Sequence, residues 1–236
     1  MKRAIGSFHI FIFAGLLISL PAMTIAAIAD NHVEIDLQSF FAGEDIDWIL
    51  LTTVPAADEP VTADIVLDLD FVNESGRCEQ LAKLQPALIM VNAVVPTLQE
   101  IGRPFLRING WPGFRGRKLH ELVSPDAATT QRLHDLYARL GYTYRLVPDL
   151  PGMIAPRIVA SVINEAWHAW EDQVSTKEEI DIAMKLGTNY PFGPFEWGER
   201  IGLDQIAALL WSLSRTEPRY LPSGALQQAA QGLKCD

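Results

Sequence analysis

The chain has 236 residues, 49% of them apolar and 20% charged, which is the composition of a folded globular protein with room for two modest domains or one large one. Its net charge of −10 argues against a nucleic-acid binder, since phosphate binding needs a basic surface, although a local basic pocket for an anion stays open. Cys78 and Cys235 lie far apart with no histidine at ligand spacing, so neither a disulfide framework nor a metal site follows, and two reduced thiols of an intracellular protein are expected.

Residues 1–29 have two readings. Lys2 and Arg3, the apolar stretch Ile10 to Leu20 and the small-x-small run Ala27-Ile28-Ala29 resemble a secretory signal peptide, which would export the protein. The stretch is too short and too interrupted, by Gly6, Ser7, His9 and Pro21, for a membrane span. Alternatively Met23 is the start, the short apolar run from Thr24, ending in polar residues at Asp30, opens the first strand, and residues 1–22 are an upstream extension. The second reading is preferred and implies a cytoplasmic protein without a membrane partner. Cleavage after Ala29 would delete that strand.

From Thr24 onward apolar runs alternate with amphipathic segments. Residues 46–54 and 63–71 read as strands, 79–84 as a helix, and 87–95 as a strand buried on both faces. A helical turn is expected at 97–101 and a strand at 104–109. Leu133, Leu136, Tyr137 and Leu140 give residues 126–140 the spacing of an amphipathic helix that Gly141 stops, and 142–147 closes as a strand. Such alternation predicts a Rossmann-like α/β domain over 23–148, a parallel sheet covered on both faces.

The pattern then becomes helical, and an all-α domain is expected over 149–236. Residues 153–170 form a long helix with Ile154, Ile158, Val162, Ala166 and Ala169 on its apolar face. Ser175-Thr176-Lys177-Glu178 opens a second helix through Leu186 with a capping box, and a third runs over 202–214 with Leu203, Ile206, Leu209 and Leu210 apolar.

Within this second domain the chain reads Asp149-Leu150-Pro151-Gly152-Met153-Ile154, then Arg157, Glu165-Ala166 and Ile180-Asp181-Ile182-Ala183-Met184-Lys185-Leu186-Gly187. It continues with Tyr190-Pro191-Phe192-Gly193-Pro194-Phe195-Glu196 and Gly202-Leu203-Asp204. In order and spacing this resembles the helical domain of the 3-hydroxyacyl-CoA dehydrogenase family. The first domain resembles the same family at Ala63 to Leu67, at Val91-Asn92-Ala93-Val94-Val95, and at Asn109-Gly110-Trp111-Pro112-Gly113, with Glu121 twelve residues after Asn109.

The resemblance implies hydride transfer between NAD and the C3 of an acyl-CoA, with a histidine as base, a glutamate that orients it, and a serine and an asparagine on the substrate oxygens. Carried over position by position, the glutamate is Glu121, the histidine falls at Asn109, the serine at Val94 and the asparagine at Pro156. Asparagine is no base near neutral pH, and valine and proline offer no side-chain hydrogen bond. The first strand is followed by Ala29-Asp30-Asn31-His32-Val33-Glu34, without the glycines that let backbone N–H groups reach a pyrophosphate, and Asp30 and Glu34 would repel it. The fold expected is thus a reduced Rossmann-like domain lacking the glycine-rich loop, followed by the helical domain.

His120, His168 and His32 could each replace the missing base, but core or surface roles are preferred for all three. Glu121 reads equally as a residual acid in the cleft or as a strand-end carboxylate partnered by Arg157 or Arg107. Arg103, Arg107, Arg115, Arg117 and Lys118 could receive a CoA phosphate, though a solvated loop is preferred, and Trp111, Trp197 and Trp211 read as packing aromatics. Three functions compete: a degenerate member that keeps acyl-CoA binding, an NAD-dependent oxidoreductase with altered chemistry, and a structural homodimer through the helical domain.

Overall fold

The computed structural model describes residues 11–13, 16–18, 22–29, 40–41, 45–56, 59 and 61–232. Near the start, β1 (Phe11–Phe13) pairs antiparallel with β2 (Leu16–Ile18). The chain divides into two compact units. The first holds residues 1–93, 98–110 and 116–146; the second takes 94–97, 111–115 and everything from Val147 onward.

The first unit is built on a seven-stranded sheet. Its strands are β3 (Met23–Ile28), β4 (Ile46–Leu51), β5 (Ile65–Asp68), β6 (Leu88–Asn92), β7 (Leu106–Ile108), β8 (Leu119–Val123) and β9 (Thr143–Leu146), in the order β4-β3-β5-β6-β7-β8-β9. All pairs are parallel except β7 with β8, which is antiparallel through Arg107 opposite Val123 and Ile108 opposite Leu122. The expectation of a wholly parallel sheet is corrected here. The short link between β7 and β8 returns the chain beside itself, and so short a connection can only make an antiparallel pair.

Alternate residues of the central strands enter different cores, which is why these strands read as continuous apolar runs. Ile25 and Ala27 of β3, Ile65 and Leu67 of β5, and Leu88 and Met90 of β6 join one core with Phe40, Phe41, Leu133 and Tyr137. Ala26 and Ile28, Val66, and Ile89 and Val91 join the other with Cys78, Leu81 and Phe105. Among the described residues the helices of this unit include α1 (Ser75–Ala82), α2 (Leu98–Ile101) and α3 (Ala127–Leu140). Asp126 caps α3 by accepting from the Thr129 N–H at 2.7 Å, which holds its carboxyl below the usual range, and Gly141 ends the helix as expected. α1 starts earlier than expected, and β5 is shorter.

The second unit contains α4 (Ala155–Glu171), α5 (Lys177–Thr188), α6 (Pro194–Ile201), α7 (Leu203–Ser214), a 3₁₀ turn (Pro218–Tyr220) and α8 (Gly224–Gly232). The three expected helices are present, and α6 and α8 are additional. The apolar face assigned to α4 needs correction. Ala160, Ile163, Ala166 and Trp167 are its buried stripe, whereas Ile154 and Ile158 are 48% and 53% exposed. Two alanines, Ile163 and Trp167 at helical spacing face the core, and Ile154 and Ile158 are left outside. The core gathers Ile163, Trp167, Phe195, Trp197, Ile206, Leu209, Leu210, Leu213 and Leu226, together with Val94, Trp111 and Phe114.

Candidate functional site

In the first unit the end of β6 organises the segment expected to carry the chemistry. Asn92 donates through Nδ2 to the Leu69 carbonyl at 3.0 Å and accepts from the Gly110 N–H at 3.0 Å. A side chain at Gly110 would meet the Asn92 amide at 2.9–3.1 Å, so the approach needs glycine. Arg107, fully buried, donates from Nε to the Ala93 carbonyl at 2.9 Å and holds the same turn from the neighbouring strand. Its burial corrects the expectation that it belongs to a solvated basic loop; Arg117 and Lys118 are exposed as expected. Asn109 follows directly, 6% exposed, and its backbone N–H donates to the Glu121 carbonyl at 3.3 Å. The antiparallel β7–β8 pair thus sets Asn109 beside Glu121, which is half-buried.

Val94 and Pro156 belong to the second unit. Val94 is 2% exposed in the apolar core, and its carbonyl accepts from the Gly152 N–H at 2.8 Å. Pro156 is buried in the first turn of α4, where the missing N–H leaves no intrahelical bond unmade. Both positions are packing positions. A catalytic hydroxyl or amide would have to be buried there with its hydrogen bonds met.

The alternative bases are placed as follows. His120 is buried, with Nδ1 2.9 Å from the Tyr137 hydroxyl and its ring among Phe40, Phe41 and Tyr142. His168 is exposed on α4, and His32 lies outside the described residues. Trp111 and Trp197 are buried, while Trp211 is 46% exposed. Cys78 is buried and burial pushes its thiol up; Cys235 lies outside the described residues. Among the described residues no cluster of His, Cys, Asp or Glu could hold a metal, and no helix is long and apolar enough to cross a membrane.

At the carboxyl end of β5, where the strand order reverses around β3, stands Asp68, fully buried. It accepts both arms of an Arg77 fork, at 2.8 and 2.7 Å. Burial pushes the Asp68 carboxyl above its ordinary value in spite of that fork, while the same hydrogen bond raises Arg77. Asp70 and Glu74 also act on Arg77, so the crevice has an acidic balance.

The motif residues of the second unit explain themselves mechanically. Asp181 on α5 accepts the Phe195 and Glu196 N–H groups at 2.8 and 3.1 Å, capping α6 from another helix. A Cβ at Gly193 would lie 2.2–2.4 Å from that carboxylate. Lys185 and Glu196 pair at 2.8 Å, which with the Gly193 N–H lowers the Glu196 carboxyl. One feature escaped the sequence. The Lys177 ammonium lies 4.2 and 4.3 Å from the ring centroids of Trp167 and Trp170 and 5.3 Å from that of Phe195. A lysine at the first position of a helix, against the dipole, is the signal that could have exposed it.

Against known proteins, residues 152–233 match the model of the 3-hydroxyacyl-CoA dehydrogenase C-terminal domain. The chain is 42% identical over 110 residues to a 3-hydroxyadipyl-CoA dehydrogenase of Escherichia coli, a match covering 46% of this chain and 23% of that protein. It is 26% identical over 234 residues to a probable 3-hydroxybutyryl-CoA dehydrogenase of Deinococcus radiodurans, covering 98% of this chain and 80% of the relative. In three curated relatives, of Escherichia coli, Clostridioides difficile and Bradyrhizobium diazoefficiens, the match spans only 23%, 34% and 35% of the protein. The crystal structure of (S)-3-hydroxybutyryl-CoA dehydrogenase from Ralstonia eutropha shares the fold, with a TM-score of 0.63 at 24% identity over 80% of this chain and 71% of that one.

Proposed function

We propose that this chain, a member of the 3-hydroxyacyl-CoA dehydrogenase family, keeps the capacity to hold an acyl-CoA while having lost efficient hydride transfer. The carrying observation is what stands at the four family positions. Asn109 cannot accept a hydroxyl proton near neutral pH, and general acid–base groups ordinarily contribute roughly 10²–10⁴-fold to rate. Val94 and Pro156 are built into apolar packing and offer the substrate oxygens no hydrogen bond. Glu121 remains beside Asn109, which stands where the family places its imidazole.

A dinucleotide would lie across the carboxyl ends of β3, β4 and β5, at the point where the strand order reverses. The described residues offer there Asp68, Asp70 and Glu74 against the one Arg77, whose fork is committed to Asp68. Carboxylates suit a ribose hydroxyl but oppose a pyrophosphate, so these residues do not fit NAD in the usual way, and the proposal contains no hydride transfer. An NADH titration followed by fluorescence, run beside an acetoacetyl-CoA-dependent NADH oxidation assay, tests it. Acyl-CoA binding without NADH binding or turnover is expected. Tight NADH binding with turnover would overturn the reading in favour of an active oxidoreductase that uses Glu121 differently.

The same reading includes a homodimer through the helical unit. Ile158, Ile182, Leu186 and Trp211 leave apolar surface on its helices, 46–83% exposed, more than single scattered residues require. Sedimentation at low micromolar concentration should give twice the chain mass; a monomer at all concentrations would refute the dimer.

A further inference from the structure

We propose that the open side of β4 pairs with the same strand of a second copy of this chain, antiparallel and centred on Trp48. β4 (Ile46–Leu51) ends the sheet and is bonded to β3 alone. The Met23 N–H donates to the Asp45 carbonyl and the Ala29 N–H to the Leu51 carbonyl, which turns the odd-numbered residues toward β3. The N–H and C=O groups of Ile46, Trp48 and Leu50 therefore face away from the sheet, and no described strand meets them.

β4 has the sequence of a covered strand left at a border. In the classic dinucleotide order a further strand lies outside this position. Here the link from β4 to β5 holds no strand among the described residues, and β1 and β2 pair only with each other. Ile46 and Trp48 lean on one core and Ile49 and Leu51 on the other, yet all four are only half-buried, and Leu50 is 69% exposed. Proteins blunt such borders with short strands, lysine or proline. The opposite border follows that rule, since β9 has four residues and carries Arg145. β4 has neither lysine nor proline, and Asp47 is its one charge.

The order of its residues selects a second copy. With Trp48 on the two-fold axis, Ile46 of each strand falls opposite the partner's Leu50, so the outward N–H and C=O groups satisfy one another. Indole then lies beside indole, and Ile46 covers the exposed Leu50, contacts of the kind that stabilise cross-strand pairs. Asp47 falls opposite the partner's Ile49 and Asp45 opposite its Leu51, so no carboxylate faces another. A parallel pairing would set the two acidic strand starts side by side, which like-charge repulsion opposes. The antiparallel contact is the same on both copies and closes as a dimer. A strand of this length covers less than the roughly 800 Å² per partner of a stable complex, so a dissociation constant of about 10–100 µM is expected.

This contact uses none of the helical surface proposed above as a dimer interface, so mass alone does not test it. Hydrogen exchange of the full chain, resolved amide by amide, does. Between about 1 and 500 µM the unpaired share should fall to roughly a tenth to a quarter, slowing exchange at Ile46, Trp48 and Leu50 by about four- to tenfold. The amides of Asp47, Ile49 and Leu51, bonded to β3, should stay slow at both concentrations and report an intact fold. Leu50→Lys, at an exposed position, should return the three outward amides to their dilute rates and leave the inward three protected. Outward amides that exchange fast at every concentration would show an edge left open. Outward amides slow at every dilution would assign the edge to a segment of the same chain. Either result, or a lysine variant that pairs like the wild type, would overturn the proposal.

Discussion

Replacing Lys177 with methionine keeps a long flexible stem and removes only the ammonium, and it should destabilise the helical unit. The ammonium sits within 4.2–4.3 Å of two indole centroids and 5.3 Å of a phenyl centroid, and the side chain is half-buried. Exposed cation–π contacts contribute about 0.5–1 kcal/mol and desolvated ones about 2, so a shared half-buried cation on two indoles is worth about 1–2 kcal/mol. Two dipole effects act on the same charge. At the first position of α5 it opposes that helix, while the indoles it rests on lie in the last turns of α4, where a cation is favourable; each effect is about 0.3–1 kcal/mol, and they largely cancel. The net expectation is a loss of about 1–2 kcal/mol, equivalent to a fall in Tm of roughly 2–8 °C for a chain of this size. Urea unfolding followed by far-UV circular dichroism measures it, with Lys177→Arg as the control that keeps the cation and should lose less than half as much. A methionine variant as stable as the wild type, or an arginine variant no better than methionine, would show that the rings merely surround the lysine without holding it.

Gly193→Ala should be destabilising by about 1–3 kcal/mol by thermal melt, because its Cβ falls 2.2–2.4 Å from the Asp181 carboxylate and the helix start must move. Asp181→Ala removes the acceptor of two α6 N–H groups and should lower stability by about 2 kcal/mol in urea unfolding, with Asp181→Asn milder. The Glu196 carboxyl is lowered in the folded state by Lys185 and the Gly193 N–H, so its contribution is present above the ordinary glutamate range and lost as pH falls through it. Wild type should therefore exceed Glu196→Gln slightly at neutral pH and match it in acid. Asp68 has the opposite sign. Its carboxyl is raised by burial, so the folded state holds the proton longer and the stability of wild type relative to Asp68→Asn should decline as pH rises above the ordinary aspartate range. A difference that grew with pH would mean that the Arg77 fork outweighs burial.

The layered sheet was legible because β3, β5 and β6 are apolar at nearly every residue, and a strand covered on both faces asks for that. The capping box also stood in the sequence, one residue displaced: Thr176 pairs with Glu179. The face of α4 was not legible, since Ile154 and Ile158 fit a 3.6-residue period as well as the buried Ala160, Ile163 and Trp167 do, and partners elsewhere in the chain decide between them. α6 and α8 were missed for a local reason. Each is short and carries an internal or terminal glycine, and α8 is mostly alanine and glutamine, without an apolar stripe. The spacing from Asn109 to Glu121 was read from the family resemblance alone, and the antiparallel β7–β8 pair that spans it was not foreseen. The box around Lys177 was not legible, as it draws on elements apart in sequence.

The burial of Val94 and Pro156 sets what a polar replacement at either position would face. A polar group placed in apolar packing is destabilising by about 1–3 kcal/mol unless its hydrogen bonds are met. Val94 shares its apolar cluster with Trp111 and Phe114. Val94→Ser or Pro156→Asn would therefore weaken the fold, and under the function proposed above neither would restore hydride transfer, because Asn109 would still hold no proton. Under that reading a return to the reaction takes several substitutions together, and the first of them is uphill in folding.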